Sequence, residues 1–271
     1  KYKKKIKKLN YKNLLKKKLN NKSINLINIE FDQKNAFEKI SKKSNLFIKK
    51  SFQIAFKILK DGKTNKFING PISKKYFLNN KYLGITEYIS NKFNVKENCM
   101  LIYNKNLSVC PITTHLPISQ IAKKITQKLI KEKIMIVNNF YKTFLGFKPR
   151  IAVTGLNPHC ESVLKFNEDN KIVFPAIKSL QKRINVKGPF SADTIFLKNN
   201  RKKYNVIIGM YHDQVLTPIK TLFEYDAINI TLGLPFLRIS PDHGPNEKMM
   251  GMNKSNSLSL VSALTFLDFR K

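Results

Sequence analysis

From about residue 26 onward the chain is built from short apolar runs that each stop at a turn or a small polar loop: INLINIEF, KFINGPIS, LSVCPITTHLP, RIAVTGLNPH, NVIIGMYHDQ and AINITLGLPF. Runs of this length, rich in Val and Ile and closed by Gly, Pro or Asn, predict strands. Between several of them lie stretches with helical spacing, Ile118 to Tyr141 and Lys171 to Ile184. Strands alternating with helices predict an α/β fold with a largely parallel sheet covered on both faces. Ahead of this region, KYKKKIKKLNYKNLLKKKLNNK sets Tyr2, Ile6, Leu9, Leu15 and Leu19 near helical spacing among lysines, which predicts an amphipathic helix with one thin apolar stripe. The sequence has no internal repeat and no low-complexity linker.

Composition narrows the class. The 271 residues are 42% apolar, enough for one large α/β domain or two smaller ones around a sizeable core. No apolar run approaches the ~18 to 20 residues needed to span a bilayer, and the first residues lack a signal-peptide pattern. A cytoplasmic location without membrane attachment is therefore expected. Cys99, Cys110 and Cys160 are odd in number and form no CxxC pair, so reduced thiols are expected rather than a disulfide framework or a thiolate zinc site.

The formal charge of +34 changes the picture less than its size suggests. Five of the 51 basic residues are arginine, leaving 51 − 5 = 46 lysines dispersed along the chain. Arginine is the residue preferred for bidentate contacts to phosphate and guanine. Dispersed lysine reads as a compositional bias that fills exposed positions, so no specific nucleic-acid partner is expected, although the field should draw in small anions. A Lys-rich nucleic-acid-binding protein is the alternative from a different functional class, and it leaves the placement of the histidines unexplained.

The chain has four histidines, and three follow strand runs. His115 comes after the run ending in Cys110 through PITT, His159 after IAVTG through LNP, and His212 after VIIGM through Tyr211. In open α/β sheets the ligand site lies beyond the carboxyl ends of the strands, where such loops converge. Three imidazoles and an open position make one known arrangement of catalytic zinc, while a hydrogen-bonded structural histidine is the plainer reading of each residue taken singly. Asp213 either orients a histidine or the substrate, or caps the following helix. His243, in the Pro/Gly turn ISPDHGP, reads equally well as structural. NGPISK, KGPFSAD, Lys220 and Arg238 join turns to charges that suit a phosphorylated substrate. Neither GxGxxG nor GxxxxGK[ST] occurs.

Taken together, GITEYIS, TTHLP, GLNPHCES, KGPFSADTIF, MYHDQ and NITLGLPFLRISPDHG, in this order, resemble the 4-hydroxythreonine-4-phosphate dehydrogenase family of pyridoxal 5′-phosphate biosynthesis, from about residue 25 to the C-terminus. The resemblance implies a two-domain α/β/α architecture similar to isocitrate and isopropylmalate dehydrogenases, with the active site in the interdomain cleft. Residues 1–80 plus 235–271 would form the larger domain and residues 81–234 the middle domain with the metal site. It implies a homodimer with the active site near the subunit interface, NAD or NADP bound without the Rossmann fingerprint, and a divalent metal on His115, His159 and His212. Three imidazoles favour Zn²⁺, with Mg²⁺ or Co²⁺ workable where substrate oxygens fill the open positions.

Family substrate contacts carry over to Thr86, Lys220, Asn229 and Arg238, and catalytic roles to His212, Asp193 and Lys220. No cofactor-binding residue is assigned. The implied reaction is NAD(P)-dependent oxidation of 4-phosphooxy-L-threonine to 2-amino-3-oxo-4-phosphooxybutanoate, which decarboxylates to 3-amino-2-oxopropyl phosphate. This chain departs from the family in three places. Ile85 stands where GHTE has a substrate-contacting histidine, CESVLKFNED replaces a glycine-rich segment after NPH, and no GEPAGIGPE-like turn precedes KYKKK. The lysine start favours a fragment. Ile85 keeps a sister activity on 4-phospho-erythronate or 4-phospho-threonate in view.

Overall fold

The protein is described here by a computed structural model covering residues 5–11, 14, 19, 22–35, 37–78, 81–161 and 166–268. In chain order the elements are β1 (Ile6–Leu9), β2 (Ile24–Ile27), α1 (Asn45–Lys60), β3 (Lys66–Ile68), α2 (Lys74–Phe77), α3 (Ile85–Lys92), β4 (Cys99–Tyr103) and β5 (Ser108–Pro111). There follow α4 (Ile118–Lys124), α5 (Gln127–Phe140), β6 (Ile151–Thr154), α6 (Phe174–Leu180), β7 (Val186–Phe190), α7 (Ala192–Ile195), α8 (Lys198–Arg201), β8 (Val206–Gly209), α9 (His212–Phe223), β9 (Ile228–Leu232), β10 (Leu237–Pro241) and α10 (Leu258–Asp268).

Among the described residues, eight strands form one sheet in the order β3-β10-β9-β4-β5-β8-β6-β7. The central strands β5, β6 and β8 are buried from end to end. Their unbroken apolar runs reflect cover on both faces, since a half-exposed strand would alternate apolar with polar. The pleat splits consecutive residues between two cores. Leu101, Cys110, Val153 and Ile208 pack with α5, α6 and α10 on one face. Ile102, Val109, Ala152 and Ile207 pack under Val215, Leu216 and Ile219 of α9 on the other. A third core gathers Phe52 and Phe56 of α1 with Tyr88 and Ile89 of α3 and Phe236.

The sheet is less parallel than the strand-helix alternation predicts. β5, β8, β6 and β7 are parallel, and β10 is parallel to β3, but β4 runs antiparallel to both β5 and β9, and β9 antiparallel to β10. The reason is linker length: Asn104 to Leu107 separate β4 from β5, and Gly233 to Phe236 separate β9 from β10. Parallel neighbours need a crossover of a dozen or so residues, so these short links turn the chain straight back. At Gly233 φ is +90° and an added Cβ would lie 2.4 Å from the Glu97 carbonyl oxygen, so only glycine fits that turn.

The N-terminal helix does not form over its first described part. Ile6–Leu9 is a strand paired in parallel with β2, Ile6 is 59% exposed and Leu19 51% exposed. Tyr2 and Leu15 lie outside the described residues. Stacked lysines four apart, such as Lys3 with Lys7 and Lys4 with Lys8, repel one another on a helix, and the stripe has too few apolar residues to offset that. The stretch from Ile118 is interrupted as well: Ile125 is extended, and Thr126 restarts the helix as an N-cap that accepts from the Leu129 N–H. All three cysteines are free thiols. No helix among the described residues is long and apolar enough to cross a membrane.

Candidate active site

The parallel register of β5, β8 and β6 sets Pro111 beside Gly209 and Ile208 beside Val153, so the loops carrying His115, His212 and His159 leave the same edge of the sheet. α9 then runs back over the sheet. Val215 and Ile219 face the core, while His212, Leu216 and Lys220, four residues apart, form a stripe along a cleft of about 720 Å³. The floor of this cleft is sheet, including Met100, Asn229, Arg238 and Ser240; its far wall carries Asn69 to Lys74, Ile85 and Thr86.

Arg238 is the deepest cation, 3% exposed. Its Nε donates to Asn69 Oδ1 at 2.7 Å, and Nη1 donates to Thr231 Oγ1 at 2.8 Å and Thr86 Oγ1 at 3.3 Å. These acceptors are neutral, and among the described residues Arg238 forms no ion pair. Burial brings its pKa down to about 10, against the charge of Glu87 acting the other way. It is still a cation at neutral pH and lacks a contacting anion. Asn229 Oδ1, in the same floor, is buried with no hydrogen-bond partner among the described residues. A substrate donor in the cleft would complete its bonding.

Lys220 differs, being already paired. Its ammonium contacts the Asp242 carboxylate and donates to the Asp242 carbonyl at 2.6 Å. Burial raises the Asp242 pKa, with Lys220 opposing.

His115 and His212 face one another with ring centroids 6.0 Å apart. Each sets Nδ1 toward a carboxylate: His212 at 2.6 Å from Asp213 Oδ1, His115 at 3.8 Å from Glu87 Oε1. The first is a hydrogen bond and the second an ion-pair distance. A carboxylate accepts only, so the imidazole proton belongs on Nδ1 and each Nε2 is left as a lone pair. Burial pushes the Glu87 pKa up, yet His115, the backbone and Lys74 together hold it below the ordinary value. Asp213 makes no helix cap, since no side chain caps α9.

Two imidazoles oriented by carboxylates suit a divalent metal, for such partners fix the tautomer and raise ligand basicity. Among the described residues no three His, Cys, Asp or Glu side chains come together as a closed metal group. An ion here would have His115 and His212 as nitrogen donors, with its other positions open.

His159 stands outside this pair. It is exposed, in a turn where His159 (φ +56°) and Cys160 (φ +61°) are both left-handed, a conformation costing roughly 1–2 kcal/mol per non-glycine residue. Buried groups hold the lead-in. Asp169, fully buried, accepts from the Leu156 N–H at 2.7 Å and from the Asn157 N–H and Nδ2 at 3.0 Å. Gln214 of α9 donates to the Gly155 carbonyl at 2.8 Å and accepts from the Met210 N–H at 2.7 Å and from Thr154 Oγ1 at 2.8 Å. Gln214 thus ties the end of β6 to the end of β8. Exposed Asp193, on α7, lies by this turn, close enough to influence the Cys160 thiol.

The sequence-predicted residues therefore fall into two groups. His115, His212, Lys220, Thr86, Asn229 and Arg238 share the cleft; His159 and Asp193 share the neighbouring loop. His243 also lines the cleft, its Nδ1 3.0 Å from the Gly244 carbonyl oxygen. Sequence reasoning missed Asn69, Glu87, Thr231, Asp242, Asp169 and Gln214 as site-building residues. All six sit inside quoted stretches, Asn69 in NGPISK, Glu87 in GITEYIS, Asp169 in CESVLKFNED, Gln214 in MYHDQ, and Thr231 and Asp242 in NITLGLPFLRISPDHG, which was the available signal.

A family model described as pyridoxal phosphate biosynthetic protein PdxA matches residues 2–267. Relatives named 4-hydroxythreonine-4-phosphate dehydrogenase include one from Sulfurihydrogenibium sp., 36% identical over 246 residues (89% of this chain, 74% of the relative). Another, from Bradyrhizobium diazoefficiens, is 38% identical over 212 residues (75% of this chain, 61% of the relative). The chain thus spans 74% and 61% of the lengths of these two. The crystal structure of 4-hydroxythreonine-4-phosphate dehydrogenase from Klebsiella pneumoniae matches with a TM-score of 0.81 at 27% identity, covering 98% of this chain and 83% of that one. Isocitrate dehydrogenase from Methylococcus capsulatus matches at a TM-score of 0.51 and 10% identity, over 80% of this chain and 70% of its own, a likeness of fold alone.

Proposed function

The chain belongs to the family of the pyridoxal phosphate biosynthetic protein PdxA, and from that premise we propose that it oxidises 4-phosphooxy-L-threonine with NAD or NADP. C3 gives a hydride to the nicotinamide and its hydroxyl a proton; the resulting 2-amino-3-oxo acid loses CO₂, and C2 takes up a proton to give 3-amino-2-oxopropyl phosphate. One observation carries the reading: a buried arginine without an anion and two carboxylate-oriented imidazoles line the same cleft.

The residues divide the work. Arg238, held rigid by Asn69, Thr86 and Thr231 through Nε and Nη1, binds an anionic group of the substrate through its remaining nitrogen, Nη2. Asn229 Oδ1 accepts from a substrate amino or hydroxyl group. His115 and His212 would hold the divalent ion, Zn²⁺ by donor preference and Mg²⁺ or Co²⁺ as alternatives, and the family pattern adds as a third ligand His159, which stands outside this pair among the described residues. When bound, the ion lowers the pKa of the hydroxyl and polarises the new ketone. Lys220, fixed by Asp242, offsets the substrate carboxylate and holds at Nζ the proton that C2 takes up as CO₂ leaves. Asp193 serves the His159 side of the site.

The cleft draws on both proposed domains: Asn69, Lys74, Arg238 and Asp242 come from residues 1–80 plus 235–271, and Thr86, His115, His212 and Asn229 from residues 81–234. A homodimer in the cytoplasm completes the reading.

Ile85 favours a second reading, a dehydrogenase of 4-phospho-erythronate or 4-phospho-threonate. It lines the cleft yet packs into the aromatic core, and offers no donor where the family pattern has a histidine. Comparing NAD(P) reduction on the two substrate classes, with added metal and after chelation, separates them. Metal-dependent reduction with phosphooxythreonine is expected. Reduction with the sugar acids alone would move the chain to the sister activity, and reduction that persists after chelation would remove the metal.

A further inference from the structure

Of the three Lys and Arg side chains that line the cleft among the described residues, Lys220 is paired with Asp242 and Arg238 is bonded into the floor. Lys74, at the exposed start of α2, forms no carboxylate ion pair among the described residues; its Nζ lies 3.1 Å from His115 Nε2. An ammonium has three donors and no acceptor, so the imidazole must accept at Nε2. Glu87 near Nδ1 supports the same tautomer. The lone pair that Lys74 occupies is therefore the one that His115 would give to a metal ion.

We propose that Lys74 is a place-holding cation, bound to His115 Nε2 in the ion-free chain and displaced by the divalent ion to bind an anionic group of the substrate. The inference rests on the metal reading above. One lone pair serves one partner, and an ammonium and a divalent cation also repel at such range. Lys74 therefore leaves when the ion arrives. It stays in the cleft, where the +1 charge on a flexible stem can meet a phosphate or carboxylate as a point charge. The arrangement keeps positive charge beside Glu87, whose buried Oε2 has no hydrogen-bond partner among the described residues, before the ion binds. It also supplies a cationic donor in the cleft that Ile85 lines, where this chain lacks the histidine of the family pattern.

This role gives one substitution opposite effects on two ligands. In Lys74→Met the competitor is gone and the stem remains, at an exposed position where folding should be little disturbed. Zn²⁺ or Co²⁺ should bind on the order of 10-fold more tightly in the absence of substrate. At saturating metal, the KM for 4-phosphooxy-L-threonine should rise about 10- to 100-fold, the loss of one charged hydrogen bond.

The experiment is a chromophoric-chelator competition for Zn²⁺ and Co²⁺ on wild type, Lys74→Met, His115→Ala and the double variant. Tighter binding in Lys74→Met that disappears in the His115→Ala background supports the proposal, because a merely structural lysine has no reason to act through His115. Unchanged or weaker binding in Lys74→Met, while His115→Ala loses affinity, overturns the place-holding role and leaves the metal reading intact. Wild-type affinity in His115→Ala sinks the metal reading itself. An unchanged KM in Lys74→Met would overturn the second half, the hand-over to substrate.

Discussion

His212→Ala is expected to abolish metal-dependent turnover, lowering kcat/KM by about 10³-fold or more, while the unfolding temperature hardly moves. The two halves have separate causes. His212 opens α9 with a side chain about one-third exposed, and no side-chain cap depends on it, so its removal opens no cavity and orphans no buried group. Substitutions at such positions stay within roughly 0.5 kcal/mol of wild-type stability. The catalytic loss follows from its place opposite His115, with Asp213 holding Nδ1 and leaving Nε2 for the ion. Losing several kcal/mol of stabilisation of developing charge amounts to about three decades in rate. Steady-state kinetics across a metal titration, beside thermal unfolding, would check both halves. Wild-type metal dependence in the variant would remove His212 from the site.

Arg238→Met should do the reverse of an ordinary core substitution: substrate binding should collapse while the fold holds. A cation 3% exposed, with its pKa brought down to about 10 by burial, is costly to hold without an ion pair, and it forms none among the described residues. Methionine fills similar volume without that cost, so stability should stay within about 1 kcal/mol of wild type or rise, with the loss of a donor to Asn69 and Thr231 as the offsetting term. A charge-assisted hydrogen bond between the guanidinium and a substrate anion is worth roughly 1.5–3 kcal/mol, so KM should rise about 10- to 100-fold. Substrate titration and thermal unfolding measure the two sides. An unchanged KM would take Arg238 out of the substrate contacts, and a large loss of stability would make its role structural.

Much of this was legible in the sequence, and the exceptions have physical reasons. The runs VIIG and IAV, the latter closed by the hydrogen-bonded Thr154, do not alternate with polar residues because both faces of their strands are covered, so they could be read as strands directly. Strand direction was less accessible: β4 and β9 look like their neighbours in composition, and only the short links after them reveal antiparallel pairing. At the N-terminus, the spacing of Ile6 and Leu9 suited a helix, but spacing says nothing of the repulsion among stacked lysines. The ordered motifs located five of the six cleft residues, and Lys220 was read separately as a cation following MYHDQ. They did not distinguish His159 from His115 and His212, because all three follow strands at one sheet edge, whereas the left-handed turn at His159 and Cys160 is a matter of backbone geometry. Pairings such as Lys220 with Asp242 and Lys74 with His115 join residues 22 and 41 positions apart, beyond the reach of local pattern.

The proposed reaction is an oxidative decarboxylation of a phosphorylated hydroxy amino acid in this cleft. The most direct test measures NAD(P)H formed and CO₂ released together, from carboxyl-labelled 4-phosphooxy-L-threonine and the metal-loaded protein. The account predicts one CO₂ for each NAD(P)H, with both signals lost together in His212→Ala. NAD(P)H without CO₂, or no reduction of either nucleotide with this substrate, would contradict it.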